Sequence, residues 1–183
     1  MAKFFEMIEA AHASFIEDQH VFFVGTAAET GRVNVSPKGM DALRVLGPNR
    51  IVWRNLTGSG NETAGHLGQV NRMTLMWCSF EKRPMILRCY GTARTIHPRD
   101  NDWDSLNAHF EPAIHARNIF DVSVEQVQSS CGYSIPFMDF VGERDTLDQW
   151  AASKGEDGIR THWAESNQQT IDGFPTGMTE PLT

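Results

Sequence analysis

The chain has 183 residues, 40% of them hydrophobic, and a formal net charge of −7, which suits one domain around one sizeable core. The negative charge and the lack of a basic run argue against nucleic acid as a partner. No stretch approaches the roughly 18 consecutive apolar residues of a membrane-spanning helix, and the start, MAKFFEMIEAAHASF, carries acids where a signal peptide is basic and then apolar. We therefore expect a cytoplasmic protein with no membrane partner.

Apolar residues at helical spacing predict an amphipathic helix over Phe4–Asp18. From His20 the hydrophobic period changes to two, and polar turns divide the chain into short strands. These strands are HVFFVGTA, RVNVS, ALRVL and RIVWRNL. Beyond the polar segment Thr57–Gln69, two longer strand patterns, Arg72–Phe80 and Met85–Ile96, are joined by a hairpin turn at EKRP.

Six strands in series predict a closed antiparallel barrel, because closure removes the edges that a flat sheet would expose. Further along, the sequence predicts a short helix over Asp102–Phe110, a strand over Val122–Gln128 and a helix over Asp145–Lys154 that ends at Gly155. The fold class is thus mainly β with peripheral helices. We expect one domain over residues 1–160 and an extended C-terminal tail over residues 161–183.

The three cysteines, Cys78, Cys89 and Cys131, are odd in number and lack CxxC spacing. The histidines show no HxxxH or HExxH pattern. The sequence therefore predicts neither a disulfide framework nor a metal site.

The run NLTGSGNET, residues 55–63, leaves a predicted strand and enters a predicted helix through two glycines. Ser59 and Glu62 have capping-box spacing, so a helix that begins near Gly60 would present free amides and its positive dipole end to an anion. The hydroxyls of Thr57, Ser59 and Thr63 would assist. The alternative is a well-capped helix start and nothing more. The run has neither the third glycine of a dinucleotide fingerprint nor the Lys-Ser/Thr pair of an ATPase phosphate loop.

A phosphate monoester is close to doubly charged, so such a site needs cations. Lys38 ends the strand that contains RVNVS, and Arg54 lies in the strand that runs into the glycine-containing turn. We expect these two residues to bind the phosphate. The alternative is an exposed turn lysine and an outward strand arginine.

The run VNVSPKGMDALRVLGPNRIVWRNLTGSGNETAGHL, followed by RMTLMWCSFEKRPMILRCYGTART, resembles the pyridoxamine 5'-phosphate oxidase-like family of FMN-binding split barrels. SCGYSIP and IDGFP are weaker echoes of the same pattern. The resemblance implies a six-stranded split barrel that forms a homodimer, with FMN in clefts shared by both subunits. It also implies that the phosphate is held by Lys38 and by Ser59, Asn61 and Thr63.

An isoalloxazine ring needs an apolar slot and polar donors at its edge. Asn34, Val35 and Ser36 could supply ring contacts, and Trp53, Asn55 and Leu56 could wall the slot, although Trp53 also suits the core. Arg88 is a charge in an otherwise apolar strand and needs an acid across the dimer or an anionic ligand. The turn at Ser130 and Cys131 could close over the flavin, with Cys131 as an inert thiol being the alternative. The candidate cofactor-binding residues are Asn34, Val35, Ser36, Lys38, Trp53, Arg54, Asn55, Leu56, Thr57, Ser59, Gly60, Asn61, Thr63, Arg88, Ser130 and Cys131.

The sequence departs from true pyridoxamine-phosphate oxidases at the substrate site. Val33 stands where those enzymes have an arginine, and the segment Trp163–Thr183 contains no arginine. We therefore expect an FMN-dependent oxidoreductase of a small organic substrate rather than an efficient pyridoxamine-phosphate oxidase. The alternatives are a flavin-binding or storage module without catalysis, and a split barrel that binds deazaflavin or haem. No catalytic residue is identifiable from the sequence.

Overall fold

The computed structural model describes residues 2–178, which form eight strands and four helices. In chain order these are β1 (Lys3–Phe5), α1 (Ala10–Glu17), β2 (Phe22–Thr26), β3 (Asn34–Lys38), β4 (Leu43–Gly47), β5 (Arg50–Leu56), α2 (Glu62–Gln69), β6 (Met73–Cys78), β7 (Ile86–Ile96), α3 (Trp103–Asn107), β8 (Ala116–Ser130) and α4 (Thr146–Ser166). Within this part of the chain, no helix is both long enough and apolar enough to cross a membrane.

All eight strands belong to one antiparallel sheet. Seven follow the order β3-β2-β6-β7-β8-β5-β4, and β1 pairs with β8 outside this path. The prediction of a mainly antiparallel β fold with a few helices is confirmed. The sheet has two strands more than the six of the predicted barrel.

The connection between β3 and β4 forces this sheet to curl. These two strands lie at opposite ends of the seven-strand path, yet only residues 39–42 separate them. Five peptide units span at most about 18 Å, whereas the edges of a flat seven-stranded sheet lie about 29 Å apart. The two edges must therefore approach each other, as they do in a barrel that is split along one side.

The inner face of the curled sheet holds the main apolar core. Trp53, Trp77 and Phe120 are fully or almost fully buried there, and the Trp53 and Phe120 rings stack with centroids 4.5 Å apart. Helix α1 covers one side of this core with Phe15 and Ile16. Each such side chain stabilises the fold by about 1.5–3 kcal/mol through burial. A second cluster, built around Val52, Ile96, Leu106, Phe110 and Ile119, packs α3 against the outer face of β5, β7 and β8.

Two elements of the structure differ in their bounds from the prediction, one at the N-terminus and one in the middle of the sheet. The helix predicted over Phe4–Asp18 begins only at Ala10, because Lys3–Phe5 pair with Val127–Ser129 of β8 and satisfy their backbone groups in the sheet. The strand predicted over Val122–Gln128 is the fifteen-residue β8, which pairs with β1, β5 and β7.

The helix predicted to end at Gly155 is interrupted there but resumes. Gly155 has a φ of +65°, and the helix continues to Ser166. Residues 161–166, predicted as extended, are therefore helical, and Trp163 is buried. Residues 167–178 then fold back over the start of α2, while the rest of the predicted tail, residues 179–183, lies outside the described part of the chain.

Gly91 marks the one irregularity in the pairing of β7 with β8. A Cβ atom built there would lie 1.9 Å from the carbonyl oxygen of Ser123, whereas one built at Gly47 would meet nothing within 4 Å. We expect Gly91→Ala to lower the free energy of unfolding by about 1–3 kcal/mol, because backbone must move to admit the methyl group. Gly47→Ala is the matched control, and chemical denaturation compares the two variants. Equal effects on unfolding would contradict the close approach at Gly91.

Candidate functional site

A cavity of about 510 Å³ opens between β3, β5 and the glycine-containing loop, residues 57–61, which we call the glycine loop. The structure brings eleven of the predicted residues to its wall. They are Asn34, Ser36, Lys38, Arg54, Asn55, Leu56, Thr57, Ser59, Gly60, Asn61 and Thr63. The split between the two sheet edges is thus the place where most of the predicted residues meet.

Strand alternation gives β3 one polar face toward this cavity. Asn34, Ser36 and Lys38 lie on that face. Ser36 Oγ donates to Asn34 Oδ1 at 2.8 Å, and Asn34 Nδ2 donates to Thr63 Oγ1 at 3.3 Å. Val35 points the other way and is 66% exposed, so it does not line the cavity.

Lys38 is held over apolar surface deep in the cavity. Its Nζ lies 5.5 Å from the centroid of the Trp53 ring and donates to Asn55 Oδ1 at 3.4 Å. Burial, together with the charge of Arg117, lowers the pKa of Lys38 from 10.5 to about 8. Lys38 therefore carries its charge at neutral pH at an energetic cost.

Arg117 is the residue that sequence reasoning missed. It lies near the start of β8, is only 2% exposed, and donates through Nη1 to Gly60 O at 2.9 Å and to Asn167 Oδ1 at 2.6 Å. Burial lowers the pKa of Arg117 to about 10, and Nε has no acceptor among the described residues. The sequence carries little signal for Arg117, because the run that follows it, NIFDV, is interrupted by the polar residues Asn118 and Asp121.

The cavity is therefore positively charged at one end. Among residues 2–178, neither Lys38 nor Arg117 forms an ion pair. The carboxylate of Glu62, which also lines the cavity, accepts hydrogen bonds from the backbone N–H of Ile171 at 3.1 and 3.2 Å. Asn61 Nδ2 is a further buried donor without an acceptor in the described chain. This donor set fits a phosphate, because two cations and unpaired N–H groups converge and neither cation is paired with a carboxylate in the part of the chain that the structure describes.

The glycine loop differs from its prediction in one respect. Helix α2 begins at Glu62 rather than near Gly60, Asn61 is its N-cap, and no side chain caps it. The predicted capping box between Ser59 and Glu62 is wrong, because Glu62 accepts from the backbone N–H of Ile171 in residues 167–178, which we call the C-terminal segment. Ser59 is exposed at the cavity, whereas the Thr57 hydroxyl donates to His115 O at 2.9 Å and accepts from Trp163 Nε1 at 2.8 Å.

Arg54 lines the cavity wall but uses its guanidinium elsewhere. Nη1 donates to Glu111 O at 2.6 Å, and the guanidinium lies 4.9 Å from the centroid of the Phe110 ring. Trp53 is fully buried in the core and contributes only the surface over which Lys38 lies.

Three predicted residues lie away from this cavity of their own chain. Arg88 Nη1 donates to Ser130 Oγ at 3.3 Å, on the part of the sheet where β7 and β8 pair. Cys131 follows Ser130 and is exposed. The structure brings these three close to one another in the chain fold, but does not place them with Lys38 and the glycine loop.

The C-terminal segment forms a further wall that only the weak IDGFP echo indicated. Ile171 lines the cavity, and the neighbouring Asp172 forms an ion pair with Arg32. Deeper in the structure, Asn167 Nδ2 donates to Gly58 O at 3.1 Å. The segment is therefore bonded to the glycine loop through Asn167 and to Arg32, which lies just before β3, through Asp172.

Comparisons with known proteins agree with this architecture. The family model described as pyridoxamine 5'-phosphate oxidase matches residues 8–131. A pyridoxamine 5'-phosphate oxidase family protein of Aspergillus flavus, ustO, is 28% identical over 195 residues, which cover 96% of this chain and 78% of the relative.

Two solved structures show the same fold at low identity. A provisionally named pyridoxamine 5'-phosphate oxidase of Lactobacillus delbrueckii has a TM-score of 0.54 and 17% identity, covering 67% of this chain and 94% of the other. An FMN-binding protein of Syntrophomonas wolfei has a TM-score of 0.51 and 13% identity, covering 66% of this chain and 83% of the other. With the family model matching well over half of its length, the chain belongs to the pyridoxamine 5'-phosphate oxidase family.

Proposed function

We propose that this chain binds FMN with its phosphate at Lys38 and the glycine loop. The observation that carries the proposal is a pair of cations at the cavity, the half-buried Lys38 and the buried Arg117, which repel each other and have no carboxylate partner among the described residues. The phosphate of FMN is close to doubly charged and would offset both charges. A cavity of about 510 Å³ also falls within the usual 300–1,000 Å³ of small-molecule sites.

The comparisons support flavin as the cofactor. The Syntrophomonas wolfei protein that shares the fold is named for FMN binding, and the family model is that of an oxidase. We infer that Asn34, Ser36 and Asn55 contact the polar edge of the flavin ring, because they line the cavity beside Lys38. Bound FMN would supply hydride or electron transfer at its N5 position, so the proposed class of reaction is oxidation or reduction of a small organic substrate.

We propose a substrate other than pyridoxamine 5'-phosphate. Val33 is 72% exposed and offers no charge, and Arg32, one residue earlier, is already paired with Asp172. A second phosphate facing the flavin would therefore lack a clamp, and each lost charge-assisted hydrogen bond costs about 1.5–3 kcal/mol. A substrate without a phosphate fits this surface better.

We also propose that the protein forms a homodimer. The outer face of β6 and β7 carries a half-buried mixture of Thr74, Met76, Arg88 and Tyr90 rather than a continuous apolar surface. The strongest apolar exposure lies instead in residues 131–145, which we call the arm. Its large exposed side chains are Tyr133, Phe137, Met138, Phe140 and Val141. A second copy that covers the arm would also cover the neighbouring Arg88, Ser130 and Cys131.

The phosphate assignment predicts that Lys38→Met weakens the binding of FMN and leaves the binding of riboflavin nearly unchanged. We expect the binding free energy of FMN to fall by about 1.5–3 kcal/mol, while that of riboflavin changes little, because only FMN has the phosphate. The ligand-free variant should melt at the same temperature or higher, since a half-buried, partly desolvated charge is removed. Quenching of flavin fluorescence measures both affinities.

Lys82→Met is the matched control, because Lys82 is exposed and does not line the cavity. Equal losses for both ligands at Lys38 would contradict a phosphate contact. Absorption spectra of the reconstituted protein add a second check, since flavin gives near-ultraviolet and blue bands, whereas haem gives a Soret band. A protein that does not quench added FMN would contradict the proposed cofactor.

The lowered pKa of Lys38 predicts a pH dependence. In the ligand-free fold its pKa is about 8, against 10.5 for the ordinary group, so the unfolded chain binds the proton more tightly between these values. Through Lys38, the ligand-free protein should therefore gain stability as pH rises from about 8 to about 10.5. FMN favours the charged lysine, so its affinity relative to riboflavin should fall as pH rises above 8. Titrations from pH 7 to 9.5 measure this ratio, and a ratio that is flat with pH would contradict the assignment.

The homodimer predicts a molar mass near twice the 20.6 kDa of one chain. Replacing two exposed apolar residues of the arm, Phe137→Ser with Val141→Ser, should shift the population toward monomer, because the covered apolar area is lost. Light scattering on a size-exclusion column measures the mass. A wild-type monomer with FMN bound would contradict the dimer, and an unchanged mass in the variant would exclude the arm from the interface.

A further inference from the structure

The carbonyl groups of the glycine loop point toward the C-terminal part of the chain. Gly58 O accepts from Asn167 Nδ2 at 3.1 Å and also lies 3.3 Å from His162 Nε2. Gly60 O accepts from Arg117 Nη1 at 2.9 Å. Two carbonyls of one short loop are therefore fixed by residues from β8 and from the end of α4.

Fixing these carbonyls also fixes the next N–H groups. Every peptide bond in residues 2–178 is trans, and in a planar trans peptide the N–H points opposite to the C=O. The N–H groups of Ser59 and Asn61 therefore point away from the bound carbonyls of Gly58 and Gly60. Within the described chain no oxygen accepts a hydrogen bond from either N–H, and both residues line the cavity.

Asn167 is the centre of this arrangement. Its side chain is fully buried, with Oδ1 accepting from Arg117 Nη1 at 2.6 Å and Nδ2 donating to Gly58 O. Its own backbone is held on both sides, because its N–H donates to Trp163 O at 3.0 Å and its carbonyl accepts from Thr176 Oγ1 at 2.6 Å. Asn167 therefore joins the buried arginine, the glycine loop and the C-terminal segment through a single amide.

We propose that Asn167 is a positioning residue for phosphate recognition, which holds the glycine loop with the Ser59 and Asn61 N–H groups directed at the phosphate and leaves the charge of Arg117 uncancelled. This inference rests on the proposed FMN site and adds a residue to it. Asn167 lies outside residues 8–131, the part that matches the family model. The C-terminal segment of this chain thus contributes to phosphate affinity without touching the phosphate.

Two substitutions separate positioning from simple structural support. Asn167→Ala removes both hydrogen bonds, so the loop loses its anchor at Gly58. Asn167→Asp keeps an acceptor for Arg117 but removes the donor to Gly58 O and places a negative charge against the guanidinium. Gln168→Ala is the matched control, because Gln168 is the next residue and its side chain bonds Trp163 O rather than the loop.

The experiment measures dissociation constants for FMN and riboflavin and the melting temperature of each full-length variant. We expect Asn167→Ala to raise the FMN dissociation constant by about tenfold, the effect of roughly one lost hydrogen bond, and that of riboflavin by less than about twofold. Asn167→Asp should bind FMN more weakly than Asn167→Ala yet melt closer to wild type, because its carboxylate pairs with Arg117. Gln168→Ala should leave the ratio of the two constants unchanged.

The outcomes distinguish this inference from the function on which it rests. The positioning role is overturned, while the FMN site stands, if the dissociation constants of FMN and riboflavin rise equally in Asn167→Ala. It is also overturned if Asn167→Asp binds FMN as tightly as the wild type does. A wild-type protein that binds neither flavin overturns both. If Asn167→Ala does not fold, Asn167→Asp alone decides between the two roles. A purely structural role would lower its FMN affinity and its melting temperature together, whereas a positioning role lowers the FMN affinity and leaves the melting temperature close to that of the wild type.

Discussion

The short connection from β3 to β4 is the constraint on which the rest of the architecture depends. Four residues join strands at opposite ends of a seven-strand path, and this closes the sheet far enough to bring Lys38 against Asn55 of β5. The connection has its own cost, because Met40 and Asp41 both adopt positive φ, at 60° and 51°. Strain of this kind concentrates at functional sites, where the surrounding structure enforces it. Here β2 and β5 hold the two flanking strands in place, and the cavity lies beside the connection.

The electrostatics of the cavity follow from this closure. Lys38 lies on an edge strand of the sheet and Arg117 lies in β8, so the closure brings a half-buried and a buried cation to the same cavity. A sequence selected for stability alone would place a carboxylate or an apolar residue there, because buried unpaired charge destabilises the folded state. The arrangement is understandable if an anion completes it. The free energy of unfolding of the ligand-free chain is then lower than it would be without the unpaired charges, and binding of the anion would raise it.

The sequence predicted strands β2 to β7, the glycine loop and the placement of Asn34, Ser36 and Lys38 at the site, because strand alternation and turn residues are local signals. It missed the role of Arg117 and the helical course of residues 161–166, because these depend on contacts across more than fifty positions of the chain. Arg54 illustrates the same limit: its position beside the loop was predicted, yet the Glu111 carbonyl engages its guanidinium. Glu62 matched a capping box in spacing, but the backbone N–H of Ile171 competes for the carboxylate. Local pattern locates a residue, and tertiary contacts decide what its polar atoms bind.

The C-terminal segment adds contacts from outside the barrel. Asn167 binds the glycine loop and Ile171 binds Glu62 at the start of α2, so residues beyond the family-matched part also build the cavity. A crystal structure of the FMN complex would show whether Lys38 and the glycine loop form the phosphate site. We expect phosphate oxygens bonded to Lys38 Nζ and to the backbone N–H groups of Ser59 and Asn61. A phosphate bound elsewhere, with Lys38 Nζ still on Asn55 Oδ1, would contradict this assignment.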